Sequence, residues 1–317
     1  MQQFGELDEK VHIAWLYHME GLTQSEIAER FGISRILVHR ILQKCQEEGI
    51  VHVVIDHPSV QCHSLASQME KDFGLRNALV IPTSQDTDVL KANLGAVSAR
   101  LIGRYICPGT TVGVGQGFTI AHTARFIEKK NVDSLTVVSL LGGLTKSAAS
   151  NSYEVALQIS NSFGANCYNY LAPIIVGCQQ DRDTIMRSDY IQAVQAIIRR
   201  VSVAIVGIGE ESTQCSLAES GLLNAEEIGR LLDAGAVADI IGNFIDLDGN
   251  KVDVDVNRRM LSTDLETLAE VENVFAVAGG LKKVQAILAS LRSGAINNLI
   301  TDYQTAEQIL RVNKITA

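Results

Sequence analysis

The sequence predicts an α/β protein in two parts, a small winged-type helix-turn-helix followed by a large domain on a mostly parallel sheet, and three observations carry that reading. Between Val11 and Val54 the chain has the cap, turn and cap pattern of a helix-turn-helix. From Leu65 onward, helical patterns alternate with short β-rich runs, which implies parallel strands with helices on both faces. Several of the turns that lead from a strand into a helix are rich in glycine.

In the amino-terminal part, Gly21 and Leu22 end one amphipathic helix, and Thr23 stands three residues before Glu26, the spacing of a reciprocal cap. A second helix is expected from about Gln24 to Phe31. Gly32 then permits a tight turn, and the Ser34 hydroxyl caps a third helix. On that helix Val38, Ile41, Leu42 and Cys45 fall at i, i+3, i+4 and i+7 and form a buried stripe. Arg35, Ile36, His39, Arg40 and Gln43 are left for other work. A helix in the major groove of DNA needs its first turns free of core duties, with donors that reach base edges and phosphates. Ser34, Arg35, Ile36, His39 and Arg40 are therefore candidate DNA-binding residues, and Tyr17 and Gln24 are candidate phosphate contacts. Gly49 and Ile50 stop the third helix, and Val51 to Ile55 is expected as the wing strand.

The chain has 317 residues, room for a second and larger domain, and 46% of them are hydrophobic, enough for a packed core. Its net charge of −9 argues that most of the molecule serves something other than nucleic acid. The cysteines Cys45, Cys62, Cys107, Cys167, Cys178 and Cys215 form no C-x-x-C pair and read as reduced thiols. No targeting segment precedes the helix-turn-helix, and no apolar run approaches the ~18 residues of a membrane span, so a cytoplasmic protein is expected, with no membrane partner. Pro58 marks the boundary, dividing the chain into a DNA-binding part, residues 1–56, and a larger second part, residues 57–317.

Strands are expected at Ala78 to Ile81, Thr111 to Val114, Leu135 to Leu140, Asn166 to Leu171, Val203 to Val206, Ala238 to Ile245, Val274 to Ala278 and Asn298 to Thr301. Ligands of such sheets bind at the carboxyl ends of the strands. The turn from Gly115 through Gln116 and Gly117 to Thr119 leads straight into a helix and offers backbone donors and a hydroxyl to an anion, a phosphate or polyol. It fails the G-x-G-x-x-G fingerprint, and no G-x-x-x-x-G-K-[ST] loop exists, so nicotinamide and nucleoside triphosphate cofactors are poor candidates and none is expected. Gly142-Gly143, Gly207-Ile208-Gly209 and Gly279-Gly280 mark three further turns expected to ring the same cleft, although each glycine pair also suits a plain tight turn.

The run G-L-T-Q-S-E-I-A-E-R-F-G-I-S-R-x-x-V-x-R-I-L, together with V-A-I-V-G-I-G, G-A-V-A-D-I, V-A-G-G-x-x-K and N-x-L-I-T-D, resembles the SorC/DeoR-type sugar-responsive transcriptional regulators over almost the whole chain. The resemblance implies a Rossmann-like effector domain similar to sugar-phosphate isomerases, and a homo-oligomer, usually a tetramer. It also implies operator DNA and a phosphorylated sugar or polyol as partners, and no enzymatic activity. Carried onto this sequence, it places ligand contacts at Gly115, Gln116, Gly117, Thr119, Gly142, Gly143, Asp239 and Lys283, with Lys282 competing for the last role and Thr145 and Lys146 nearby. Asp239 also suits a simple turn carboxylate. The chain departs from the family in having Ala238 before that aspartate and Gln116-Gly117-Phe118 where a Trp-Gly pair is common.

The alternative is a sugar-phosphate or amino-sugar isomerase. Such enzymes place Asp-Gly-His after the G-I-G turn, where this chain has Glu210-Glu211-Ser212, so Glu210 would have to act as a lone base.

Overall fold

The computed structural model describes residues 6–51, 59–144, 150–210 and 221–316. The chain divides into two compact units, Met1–His57 and Pro58–Ala317.

In the first unit, α1 (Glu6–His18), α2 (Gln24–Phe31) and α3 (Arg35–Glu47) enclose a core of Ile13, Leu16, Ile27, Val38, Leu42 and Cys45. The starts of α2 and α3 are set locally. Thr23 accepts from the Glu26 amide while the Glu26 carboxylate accepts from the Thr23 amide at 2.7 Å, and Ser34 Oγ accepts from the Leu37 amide at 3.2 Å. Gly32 closes α2 in the left-handed region at φ 64°. The expected wing from His52 onward lies outside the described residues, as do Thr145, Lys146, Glu211, Ser212 and Cys215.

The second unit holds a seven-stranded sheet in the order β1-β10-β9-β5-β2-β3-β4, every neighbouring pair parallel. The strands are β1 (Asn77–Ile81), β2 (Thr111–Val114), β3 (Thr136–Ser139), β4 (Asn166–Tyr168), β5 (Val203–Val206), β9 (Asn273–Val277) and β10 (Asn298–Asp302). Alternate residues go to opposite faces, so Val203 and Ile205 join one core with Leu94, Ile120 and Ile159, while Ala204 and Val206 join another with Met69, Ile198 and Ile287. Both faces are covered, which is why these strands read as continuous apolar runs. The first core is built against α5 (Thr87–Ile102), α6 (Phe118–Phe126) and α7 (Ser152–Phe163).

One strand expectation is corrected. Ala238 to Ile245 is not a member of the parallel sheet but an antiparallel hairpin, β7 (Ala238–Ile240) and β8 (Asn243–Ile245), which forms a separate three-stranded sheet with β6 (Gly209–Glu210). Its two-residue turn places Ile241 at φ 47° and Gly242 at φ 82°. A β-branched residue with positive φ is a true outlier, which is why the pattern reads as one strand.

Helices α5 and α6 meet closely at Gly95, where a Cβ would lie 2.5 Å from His122 Cβ and 2.8 Å from the His122 carbonyl carbon. Gly95→Ala should therefore force the helices apart and cost about 1–3 kcal/mol in urea unfolding. Gly229→Ala, in a helix with nothing within 4 Å of the added carbon, should instead be neutral or stabilising by up to about 1 kcal/mol. Equal effects at the two positions would contradict this packing.

Candidate functional site

On α3 the core stripe and the outward residues separate cleanly. Val38, Leu42 and Cys45 are buried and Ile41 is half-buried, while Arg35, His39, Arg40 and Gln43 are exposed and Ile36 is 70% exposed. An isoleucine that open to solvent contributes little to the fold and leaves an apolar contact available, of the kind a thymine methyl accepts. Ser34 is committed to its cap. Tyr17 is exposed near the end of α1, with its ring edge-on to His18, and Gln24 is the first residue of α2, half-buried where the helix's free amides begin. Positively charged side chains and a helix start thus surround a rigid three-helix core, an arrangement suited to backbone phosphates and base edges.

In the second unit, the four glycine turns follow β2, β3, β5 and β9, which are adjacent in the order β9-β5-β2-β3 and all parallel, so their carboxyl ends lie on one edge. The turn after β2 enters α6 through Gly117, which sits at φ 126°, a conformation an L side chain resists. The Gly117 amide donates to the Ser150 carbonyl at 2.9 Å, so an anion here would be met by the following amides at the start of α6. Gln116 Oε1 is buried at this turn without a partner among the described residues. Thr119 is half-buried in the first turn of α6.

Gly142 and Gly143 are held by the protein itself. Their amides donate to Leu261 and Ala172 carbonyls at 2.8 and 2.9 Å, and a Cβ would strike Pro173 O at 2.5 Å or the Tyr153 ring at 2.3 Å. Their part is to let the backbone pass closely, not to offer free donors.

Asp239 and Lys283 are brought to the same place. Asp239 is 7% exposed, and its Oδ1 accepts from the Gly242 amide at 2.6 Å across the hairpin turn. Its other oxygen lies against Gly209, where a side chain would collide with it. Burial pushes its carboxyl up to about 6, against the opposing pull of the Gly242 hydrogen bond and the Lys283 charge. Lys283 Nζ donates to the Ile208 carbonyl at 2.5 Å, in the turn after β5. Burial holds its ammonium below its ordinary pKa, opposed by Glu210 and Asp239. Lys282, by contrast, is exposed.

Three residues at this edge escape sequence reasoning. Lys91, on α5, lies over the Phe118 ring 5.8 Å from its centroid, and its charge reaches Lys283. Ile241 sets its Cγ2 where a Cβ on Gly115 would come within 3.0 Å, so the strained turn packs directly against the loop after β2. Asp302 is fully buried, with one oxygen on Thr83 Oγ1 at 2.6 Å and the other on the Gly280 amide at 2.8 Å, and so anchors the turn that carries Lys283. Only Asp302 left a trace, inside the N-x-L-I-T-D run.

Comparison with known proteins agrees with this two-part organisation. Residues 57–311 match the family model described as a putative sugar-binding domain, and residues 13–58 match the MarR family. The erythritol catabolism regulatory protein EryD of Brucella abortus is 30% identical over 299 residues, 94% of each chain. The transcriptional regulator LsrR of Escherichia coli O139:H28 is 31% identical over 314 residues, 96% of this chain and 95% of that one. The crystal structure of the full-length sorbitol operon regulator SorC from Klebsiella pneumoniae superimposes with a TM-score of 0.75 at 25% identity, covering 97% of this chain and 100% of that one. These relatives are transcriptional regulators and not enzymes, which sets the isomerase alternative aside. With a helix-turn-helix ahead of a sugar-binding domain, and likeness over nearly its whole length, the chain belongs to the SorC-type family of transcriptional regulators.

Proposed function

We propose that this regulator binds operator DNA through α3 and adjusts that binding when a phosphorylated sugar or polyol occupies the glycine-turn edge, acting as a cytoplasmic homo-oligomer, a tetramer. The observation that carries the reading is the meeting, on one edge, of a helix start, a buried carboxylate and a half-buried ammonium. In it Gly115, Gln116, Gly117 and Thr119 cradle the phosphate at the start of α6, where free amides and the helix dipole favour negative charge. Gly142 and Gly143 shape the wall. Asp239 accepts from sugar hydroxyls, and Lys283 turns its ammonium from the Ile208 carbonyl to the ligand. A ligand hydroxyl would also supply the donor that Gln116 Oε1 lacks. Such a ligand changes DNA occupancy only by binding one conformation better than another.

At the DNA, Arg35→Ala and Arg40→Ala should each weaken binding to a site selected from random sequence by about 1–3 kcal/mol, and loss of a base reader relaxes preference at one position. Tyr17→Ala and Gln24→Ala should weaken all sequences alike, as lost phosphate contacts do. Gel-shift affinities within twofold of the parent for both arginine variants would remove α3 from the interface.

At the effector edge, Asp239→Ala and Lys283→Ala should leave DNA affinity intact and abolish its response to the cognate sugar phosphate. Calorimetry with phosphorylated and unphosphorylated forms of that sugar tests the anion loop. Equal affinity for the two would place the phosphate elsewhere.

The raised carboxyl of Asp239 gives a pH signature with a definite sign. The folded state holds this proton more tightly than the unfolded chain, so its contribution makes the protein progressively less stable as pH rises from 3.8 to about 6. Asp239→Asn should remove that slope and gain stability relative to the parent above pH 6, on the order of 2–3 kcal/mol. Parallel stability curves for parent and variant from pH 4 to 7 would show that Asp239 is not the titrating group.

A further inference from the structure

Lined by none of the glycine-turn residues, a second concave surface lies between α8 (Gln179–Met186) and the segment from Lys251 to Arg258. It is a cavity of about 340 Å³, within the size range of small-ligand sites, and three cations line it: Arg182, Lys251 and Arg258. Among the described lining residues the one carboxylate, Asp253, is already taken by Arg258 at 2.5 Å.

The cationic groups are held in place from behind. Arg182 Nε donates to the Met260 carbonyl at 2.9 Å, and one terminal nitrogen reaches Asp183 at 3.3 Å. Lys251 Nζ donates to Asn243 Oδ1 at 3.0 Å, and Asn243 is itself fixed by donating to the Ile240 and Thr263 carbonyls. The neighbouring Asn257 is buried and spans the Phe244 amide and the Phe244 and Val252 carbonyls, so the lining is rigid. Burial and then the Arg182 charge hold Lys251 below its ordinary pKa, with Asp264 and Glu266 pulling the other way. These two like charges act on one another across the hollow and repel, and an anion between them would relieve the repulsion through charge-assisted hydrogen bonds.

We propose that this cavity is a second binding site, distinct from the glycine-turn edge, for a compact phosphate-class oxyanion, either free or as a phosphomonoester, held by Arg182 and Lys251 with Arg258 at the rim. The guanidinium supplies a planar pair of donors to two oxygens, and the ammonium supplies a point charge to a third. Because Asn243 belongs to the hairpin whose turn grips Asp239, an anion that draws Lys251 away acts on the hairpin directly.

The test is calorimetric titration of the full-length protein with inorganic phosphate and, separately, glycerol 3-phosphate, at ionic strength held constant with chloride. In Lys283→Ala, a phosphate site should persist. Arg182→Gln combined with Lys251→Gln should weaken that site at least tenfold while circular dichroism is unchanged. Should the double variant fail to fold, Arg258→Gln at the exposed rim should still weaken it at least threefold. Tighter binding of inorganic phosphate would assign the site to the free anion, and tighter binding of the ester would assign it to a small phosphorylated metabolite. Loss of all phosphate binding in Lys283→Ala, or unchanged affinity in the Arg182 and Lys251 or Arg258 variants, would overturn the proposal without touching the effector reading. A change in oligomeric state by light scattering, with phosphate affinity unaltered, would overturn it too and assign these cations to a contact between copies of the chain.

Discussion

Everything at the glycine-turn edge depends on the fact that all seven strands of the large sheet run in one direction. Parallel pairing sends each chain away from the sheet at the same edge, so turns that are distant in sequence become neighbours. The turns after β9, β5, β2 and β3 stand on consecutive strands, three strand spacings apart, about 15 Å in all. Glycine serves this arrangement in two separate ways, by accepting the backbone geometry at Gly117 and by admitting close neighbours at Gly142 and Gly143.

The electrostatics of the edge are those of a pair pulled toward neutrality by burial and toward charge by each other. Burial raises Asp239 and depresses Lys283, while their mutual attraction works against both shifts. The Lys91 charge, by contrast, adds to the depression of Lys283. A ligand phosphate placed near the two lysines would favour their charged forms and exchange like-charge repulsion for attraction. Under the proposed function, selectivity for an anion over a neutral sugar would follow from the protein's own unfavourable terms, without a dedicated arginine.

How much of this was legible in the sequence depends on the range of the interactions. The helix-turn-helix was readable because its determinants are local: Thr23 with Glu26 and Ser34 with Leu37 are each three residues apart. The parallel strands were readable because double-sided burial leaves an apolar signature. The β7–β8 hairpin was hidden because Ile241 occupies a turn position that its residue type disfavours, and the surrounding apolar residues mimic a continuous strand. Asp302 and Lys91 were silent for another reason. Asp302 meets Thr83 across 219 residues, and Lys91 approaches Lys283 only because the sheet order folds α5 over the same edge, so no local pattern marks either one.

The conformation of Ile241 has a consequence for how this fold can change. A β-branched residue in the left-handed region stores strain that the hairpin tolerates because its side chain, 3% exposed, packs over Gly115. Asparagine or glycine would relax the backbone there, releasing about 1–3 kcal/mol of strain, but each would forfeit a buried core side chain at a cost of about 2–5 kcal/mol. Stability and the close packing over Gly115 thus rest on one side chain, and selection for heat tolerance alone would keep the strained isoleucine rather than relax it.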